Sequence, residues 1–423
     1  MTKNLDQLLN SRLSLNNMGD KDIRTRAQEF QKLIQLTSEL EAYPYFQALD
    51  DNQGAEAVLN GQRVIMMGSN NYLGLTTHPK VREAAIKAIE TYGTSMTGSR
   101  LLNGTLSLHE EFEEEIADFL GKEAALIFTT GYQVNIGTIT ALTDPNTTVF
   151  LDKLNHASMW DAVSMSAARP VFYKHLDAES LGKSLEKTPA DRQKIVVTDG
   201  IFSMEGDIAP LPEIVKVCQK HKALLIVDDA HAIGTLGPRG EGAAGHFGLS
   251  KEVDLITATF SKALASTGGY VAGDSDLINY IKHFGRSMIF SASITPSNLA
   301  AARAAFHILQ EEPERVRQVQ KNAEKLKNGL VEMGWDVGPS ETPIIPIFLG
   351  DDLTTLTLWK ELLNAGVYIN PVVYPAVPPD KALLRISTIA SHNDSHIQQA
   401  LDAFQVVGER YHLLQKQASN ALG

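Results

Sequence analysis

Five short apolar runs dominate the middle of the chain, and several of them do not alternate apolar with polar residues. They are AALIF (124–128), TTVFL (147–151), KIVVTDG (194–200), ALLIVDD (223–229) and DLITATF (254–260). A strand that is apolar on both faces has to be covered on both faces. Helix-patterned segments such as SLHEEFEEEIADFL and LPEIVKVCQKH accompany the runs. Strands alternating with helices predict an α/β fold with a largely parallel sheet between helical layers. Several runs close in polar residues: Asp199, Asp228, Asp229 and Thr259. Ligands of open α/β sheets bind beyond the carboxyl ends of the strands, so these four groups predict a single site.

The chain has 423 residues, too many for one compact core. Residues 1–62 read as an N-terminal arm, polar and helix-prone, with Leu5, Leu8, Leu9 and Leu13 at helical spacing. Such a stripe packs on a partner subunit or rests on a membrane surface. Residues 63–300 read as a large α/β domain and 301–423 as a smaller α+β domain. The latter is predicted to hold one long charged helix over about 301–333, short strands near IIPIFLG and LLRIS, and a closing helix.

Charge and composition exclude several functions. The formal net charge is −12 and no Lys/Arg block stands out, which argues against nucleic acid as a partner. Cys218 is the only cysteine, so an internal disulfide and cysteine-based metal sites are ruled out. The histidines show no HExxH spacing, and no protein metal site is expected. The start, MTKNLDQLLNSR, lacks a signal-peptide core, and no apolar run is long enough to span a bilayer. The expected compartment is the cytoplasm, with peripheral membrane contact at most.

Four segments carry residues capable of chemistry. In VDDAHAIG (227–234), Asp228 and Asp229 close a strand and His231 follows in the turn. That arrangement could hold a metal, orient a base, or pair with a pyridine nitrogen; alone it could equally be a helix cap and a turn histidine. In TFSKALASTGGYVAG (259–273), Lys262 directly follows a buried strand, between hydroxyls and a Gly-Gly pair. Desolvation lowers an amine pKa and makes it a nucleophile, as a Schiff-base lysine requires. Thr259 and Ser261 offer hydroxyls to a phosphate. FTTGYQVN (128–135) turns from a strand through Gly131 and Tyr132 into a helix, whose first N–H groups suit phosphate. DKLNHAS (152–158) sets His156 just past another strand.

Taken in order, these segments resemble those of the fold-type I pyridoxal-phosphate enzymes of aspartate aminotransferase-like architecture, and within them the α-oxoamine synthases. The resemblance runs from about Tyr45 to Phe404. It also rests on SNNYLGL (69–75), GSRLLNGTLSLHEEFE (98–113), TDGIFSMEGDIAPLPEI (198–214), FSASITPS (290–297) and LLRISTIASH (383–392). SRLLNGT, DGIFSMEGDI, TFSKALAS and INPVVYPAVP (369–378) are most similar to the bacterial serine palmitoyltransferase branch.

The resemblance implies pyridoxal 5'-phosphate as cofactor, with L-serine and a long-chain acyl-CoA as substrates of a shared-site homodimer. It implies that Lys262 holds the cofactor and moves the α-proton, Asp228 pairs with the ring nitrogen, and His231 meets the phenolic oxygen. His156 is implied to stack on the ring and help hold the substrate carboxylate. Gly131, Tyr132, Thr259 and Ser261 are implied phosphate ligands, joined by Ser291 from the second subunit. Arg385 is implied to grip the carboxylate at a later stage, and Asn71 to line the site near the dimer interface. Met96, Thr97, Asn155, Ala162, Ser164 and Asn393 depart from the family pattern. None belongs to the cofactor set, but they leave open a sister synthase using alanine, glycine or cysteate with another thioester.

Overall fold

All five apolar runs are strands. The computed structural model describes residues 21–39, 43–374, 376–378 and 380–414, so the leucines of the first thirteen positions lie outside the described residues. Three strands near the N-terminus are β1 (Leu49–Asn52), β2 (Glu56–Leu59) and β3 (Gln62–Met66). The large sheet uses β4 (Ala124–Phe128), β5 (Thr147–Asp152), β6 (Arg169–Tyr173), β7 (Gln193–Asp199), β8 (Leu224–Asp228), β9 (Leu255–Thr259) and β10 (Gly269–Gly273). Its order is β4-β10-β9-β8-β7-β5-β6. The pairs from β9 through β6 are parallel, and β10 alone runs against both neighbours.

The lack of alternation has the predicted cause. In β8, Leu225 and Val227 face one apolar cluster while Ile226 faces the other, and in β7 Val196 and Val197 divide the same way. Both faces are therefore buried. Parallel direction brings the ends of β5, β7, β8 and β9 to one edge, carrying Asp152, Asp199, Asp228 and Thr259.

A third apolar cluster serves the C-terminal part. It packs Ile345, Ile347, Leu384 and Ile386 against Leu326, Leu330 and Phe404. The strands there are β11 (Ile344–Gly350), β12 (Val367–Tyr368), β13 (Asn370–Val372) and β14 (Ala382–Ser387). Strand β3 pairs in parallel with β12, and Ile65 and Met67 join the same cluster. The long helix expected over 301–333 is corrected to two, Pro296–Glu311 and Glu314–Met333. Pro313 supplies no N–H and disfavours a helical residue before it, so the first helix ends at that point.

Candidate active site

A cavity of about 330 Å³ opens where the strand ends converge. Its walls include Gly131, Tyr132, His156, Asp228, His231, Thr259, Ser261 and Lys262, eight residues singled out from the sequence. Lys262 comes off the end of β9. Burial lowers its amine to about 8; Asp228 and Asp199 oppose the shift and Arg385 adds to it. Asp228, at the end of β8, accepts from the Ala230 N–H at 2.8 Å and from Asn135 Nδ2 at 2.6 Å.

His156 caps the helix Ala157–Ser164, and its N–H donates to Asp199 Oδ2 at 2.9 Å. Burial lowers the imidazole's pKa, with Asp228 acting against the shift. His231 is held neutral more strongly, by burial first and then by the nearby Lys262 and Arg385 charges. Its Nδ1 lies 2.7 Å from the Tyr72 hydroxyl. Burial raises the Asp199 carboxyl well above the usual range, and neighbouring Asp228 raises it further.

The opposite end of the cavity suits an anion. Helix Gly131–Ala141 starts there, and Thr130 caps it by accepting from the Gln133 N–H at 3.2 Å. The Thr259 and Ser261 hydroxyls lie 2.8 Å apart beside it. A Cβ on Gly131 would stand 2.6 Å from Thr259 Cβ, so only glycine lets the helix start come this close to β9. The Tyr132 ring lines the wall while its hydroxyl donates to Asp161 Oδ2 at 2.8 Å.

Arg385, on β14, reaches the site from the C-terminal sheet. It donates to the Ser203 carbonyl, to Asn70 Oδ1 at 3.0 Å and to Ser387 Oγ at 2.8 Å. A longer contact, 3.5 Å, leads to the Tyr72 hydroxyl and so towards His231. Three expected residues do not line the cavity of their own chain: Arg385, whose charge acts on Lys262 and His231, and also Asn71 and Ser291. Asn71 caps a turn, its Oδ1 accepting from the Leu75 N–H at 3.0 Å and its Nδ2 donating to Thr76 Oγ1 at 2.8 Å. Ser291 Oγ accepts from Gln133 Nε2 at 2.9 Å.

The sequence reading passed over Asn135, Ser158 and Tyr72. Asn135 had a signal, since it stands one helical turn beyond Gly131 and so shares its face. Tyr72 sits inside SNNYLGL, directly after Asn71. Among the described residues no cluster of His, Cys, Asp or Glu could hold a metal ion.

At the end of β5, His175 lies 2.9 Å from Asp152 and 3.3 Å from Asp207. Burial disfavours its charge, but the two carboxylates outweigh burial and raise it to about 9. A raised histidine stabilises the fold fully below its ordinary value of 6.5, and the contribution disappears as pH rises through about 9. Thermal midpoints of the wild type and His175→Gln should therefore differ most below pH 6.5 and converge above about pH 9. A gap that stayed constant over this range would contradict the assignment.

A family model described as aminotransferase class I and II matches residues 62–404. The chain belongs to that family. A serine palmitoyltransferase of Sphingobacterium spiritivorum is 46% identical over 360 residues, covering 85% of this chain and 90% of the relative. An 8-amino-7-oxononanoate synthase of Thermoanaerobacter pseudethanolicus is 41% identical, covering 88% of this chain and 94% of that one. Both relatives are α-oxoamine synthases, the group expected from the motifs. A solved serine palmitoyltransferase from S. paucimobilis, with a bound PLP–myriocin aldimine, superposes with a TM-score of 0.90. It is 34% identical, covering 93% of this chain and all of that one. The fold is fold-type I, as expected.

The residues of this family member fit pyridoxal phosphate. A glycine-walled helix start with two hydroxyls suits the phosphate. An aspartate anchored by two donors suits a pyridinium nitrogen, and a buried amine of lowered pKa lines the same cavity.

Proposed function

We propose that this chain condenses L-serine with a long-chain acyl-CoA such as palmitoyl-CoA. The products are 3-ketodihydrosphingosine, coenzyme A and carbon dioxide, the first step of sphingolipid synthesis. In coarser terms, the chain is a pyridoxal-phosphate-dependent acyltransferase of the α-oxoamine synthase group. One observation supports serine over its alternatives. Four serine palmitoyltransferases match at 44–46% identity and four 8-amino-7-oxononanoate synthases at 38–41%, while the S. paucimobilis serine palmitoyltransferase matches at 34%.

When bound, the cofactor supplies an electron sink for charge developing on the amino acid's α-carbon. Lys262 is the amine that would hold it covalently, and once displaced that amine takes the α-proton. Its pKa of about 8 keeps the neutral, basic form accessible near neutral pH. Asp228 would hold the ring-nitrogen proton, and His231 the phenolic oxygen. Gly131, Tyr132, Thr259 and Ser261 would bind the phosphate.

His156 and Arg385 divide the substrate carboxylate between them. Arg385 commits Nε to Ser203 and Nη1 to Asn70 and Ser387, so Nη2, whose contact with Tyr72 is 3.5 Å long, is the nitrogen that would take up the carboxylate. His156→Ala should retain cofactor but show a weak absorbance change with L-serine. Arg385→Ala should bind serine almost normally and fail later, on acyl-CoA addition. Losing a charge-assisted hydrogen bond costs roughly 1.5–3 kcal/mol, a rate loss of about ten- to a hundredfold. Loss of serine binding in Arg385→Ala, with an intact cycle in His156→Ala, would reverse the two roles.

We also propose a cytoplasmic homodimer. Leu102 in GSRLLNGT is 81% exposed, and Phe290, beside Ser291, is 72% exposed, apolar surface that a second subunit would cover. Ser291 would then reach the neighbouring subunit's phosphate, and Asn71 would lie near the shared boundary. Among the described residues no helix is long and apolar enough to cross a membrane.

The reaction is tested by incubating purified protein with serine, alanine, glycine and cysteate against palmitoyl-CoA, following thiol release and product mass. Serine should give the fastest thiol release and a product of 3-ketodihydrosphingosine mass. Preference for another amino acid would assign the chain to a sister synthase.

A further inference from the structure

A run of hydrogen bonds joins Asp228 to His156 through two side chains outside the set described above. Asn135 Nδ2 donates to Asp228 Oδ2 at 2.6 Å and to Ser158 Oγ at 2.8 Å. Its Oδ1 accepts from Thr257 Oγ1 at 3.0 Å. Ser158 Oγ lies 2.8 Å from His156 Nδ1. Asn135 and Ser158 are buried, so water does not compete for these bonds.

The chemistry of the groups gives each bond a direction. A carboxylate only accepts, so the amide nitrogen of Asn135 must face Asp228. That nitrogen's second hydrogen goes to Ser158 Oγ, which leaves the hydroxyl proton free to point at His156 Nδ1. The Ser158 backbone N–H also points at Nδ1, at 3.3 Å. A ring nitrogen facing two donors carries no proton of its own.

We propose that Asn135 and Ser158 are positioning residues that lock His156 as the neutral imidazole protonated on Nε2. His156 then presents an N–H donor to the cavity without carrying a positive charge. Protonating Nδ1 would set its N–H against the Ser158 backbone N–H, and the burial that lowers the imidazole's pKa acts in the same direction. The relay also ties the ring-nitrogen partner Asp228 to the ring-face partner His156, so the two keep a fixed spacing. The tautomer rests on the hydrogen bonds alone; its use as a carboxylate donor rests on the reaction proposed above.

The test uses protein labelled with 15N in the histidine rings, as holoenzyme and after removal of the cofactor. The His156 signals are assigned by their loss in His156→Gln. Wild type should show an unprotonated Nδ1 and a protonated Nε2 in both forms. Ser158→Thr keeps the hydroxyl and should keep this pattern, whereas Ser158→Ala should mix the two tautomers. By absorbance titration, Ser158→Ala should bind the amino acid roughly tenfold more weakly, with Ser158→Thr close to wild type. A protonated Nδ1 in the wild type would overturn the proposal. So would a Ser158→Ala variant with unchanged tautomer and unchanged amino-acid affinity. Failure of the serine assay would leave the ring-nitrogen spectra as they are, so the two readings fail separately.

Discussion

Lys262→Ala should lower turnover by about four orders of magnitude, the upper end of what a positioned acid–base group contributes. The loss is this large because one amine has two tasks, holding the cofactor and moving the α-proton. The fold should survive, since the side chain is replaced by a smaller one beside an open cavity. Cofactor should still enter, because Asp228 and the Gly131–Thr259–Ser261 end are untouched. Borohydride treatment followed by peptide mass analysis should fix the cofactor on Lys262 in the wild type and nowhere in the variant. Turnover within tenfold of wild type, or cofactor fixed at another lysine, would remove Lys262 from the mechanism.

Asp228→Asn should come second, with kcat/KM down about a hundred- to five-thousandfold. The change is nearly isosteric but removes the charge that opposes a protonated ring nitrogen. Removing one partner of a buried charged pair costs roughly 3–5 kcal/mol, which corresponds to a loss of this order. A local conflict adds to it. Both Asp228 oxygens accept, one from Ala230 and one from Asn135, and an amide can satisfy only one of those donors. Steady-state rates and cofactor retention on gel filtration measure the effect. A variant within fivefold of wild type would show that Asp228 does not govern the ring's electronics.

The parallel sheet was legible because each buried strand carries its own evidence. LLIVD and LITAT are apolar at every position but the last, or nearly so, and their ends announce the site edge. Strand β6 was not read, because four of its five residues are exposed or half-buried and it contains Pro170. Strand β10, Gly269–Gly273, is not among the predicted strands; it is a strand because β4 and β9 hold it from both sides. The pair β3–β12 joins segments some three hundred residues apart, a distance over which periodicity carries no information.

The site divides in the same way. Lys262, Asp228, His231 and His156 are legible because each lies at a strand end or within a few residues of one, and strand ends share an edge whatever the loops do. The partners that orient them come from elsewhere in the chain: Asn135 for Asp228, Tyr72 for His231, Ser203 for Arg385. The sequence by itself determined the layers, the edge and the reactive groups, because these follow from side-chain period and chemistry within a few residues. Only the tertiary structure decided which polar groups meet and in which direction each hydrogen bond runs, because those depend on packing distances between segments that local pattern does not encode.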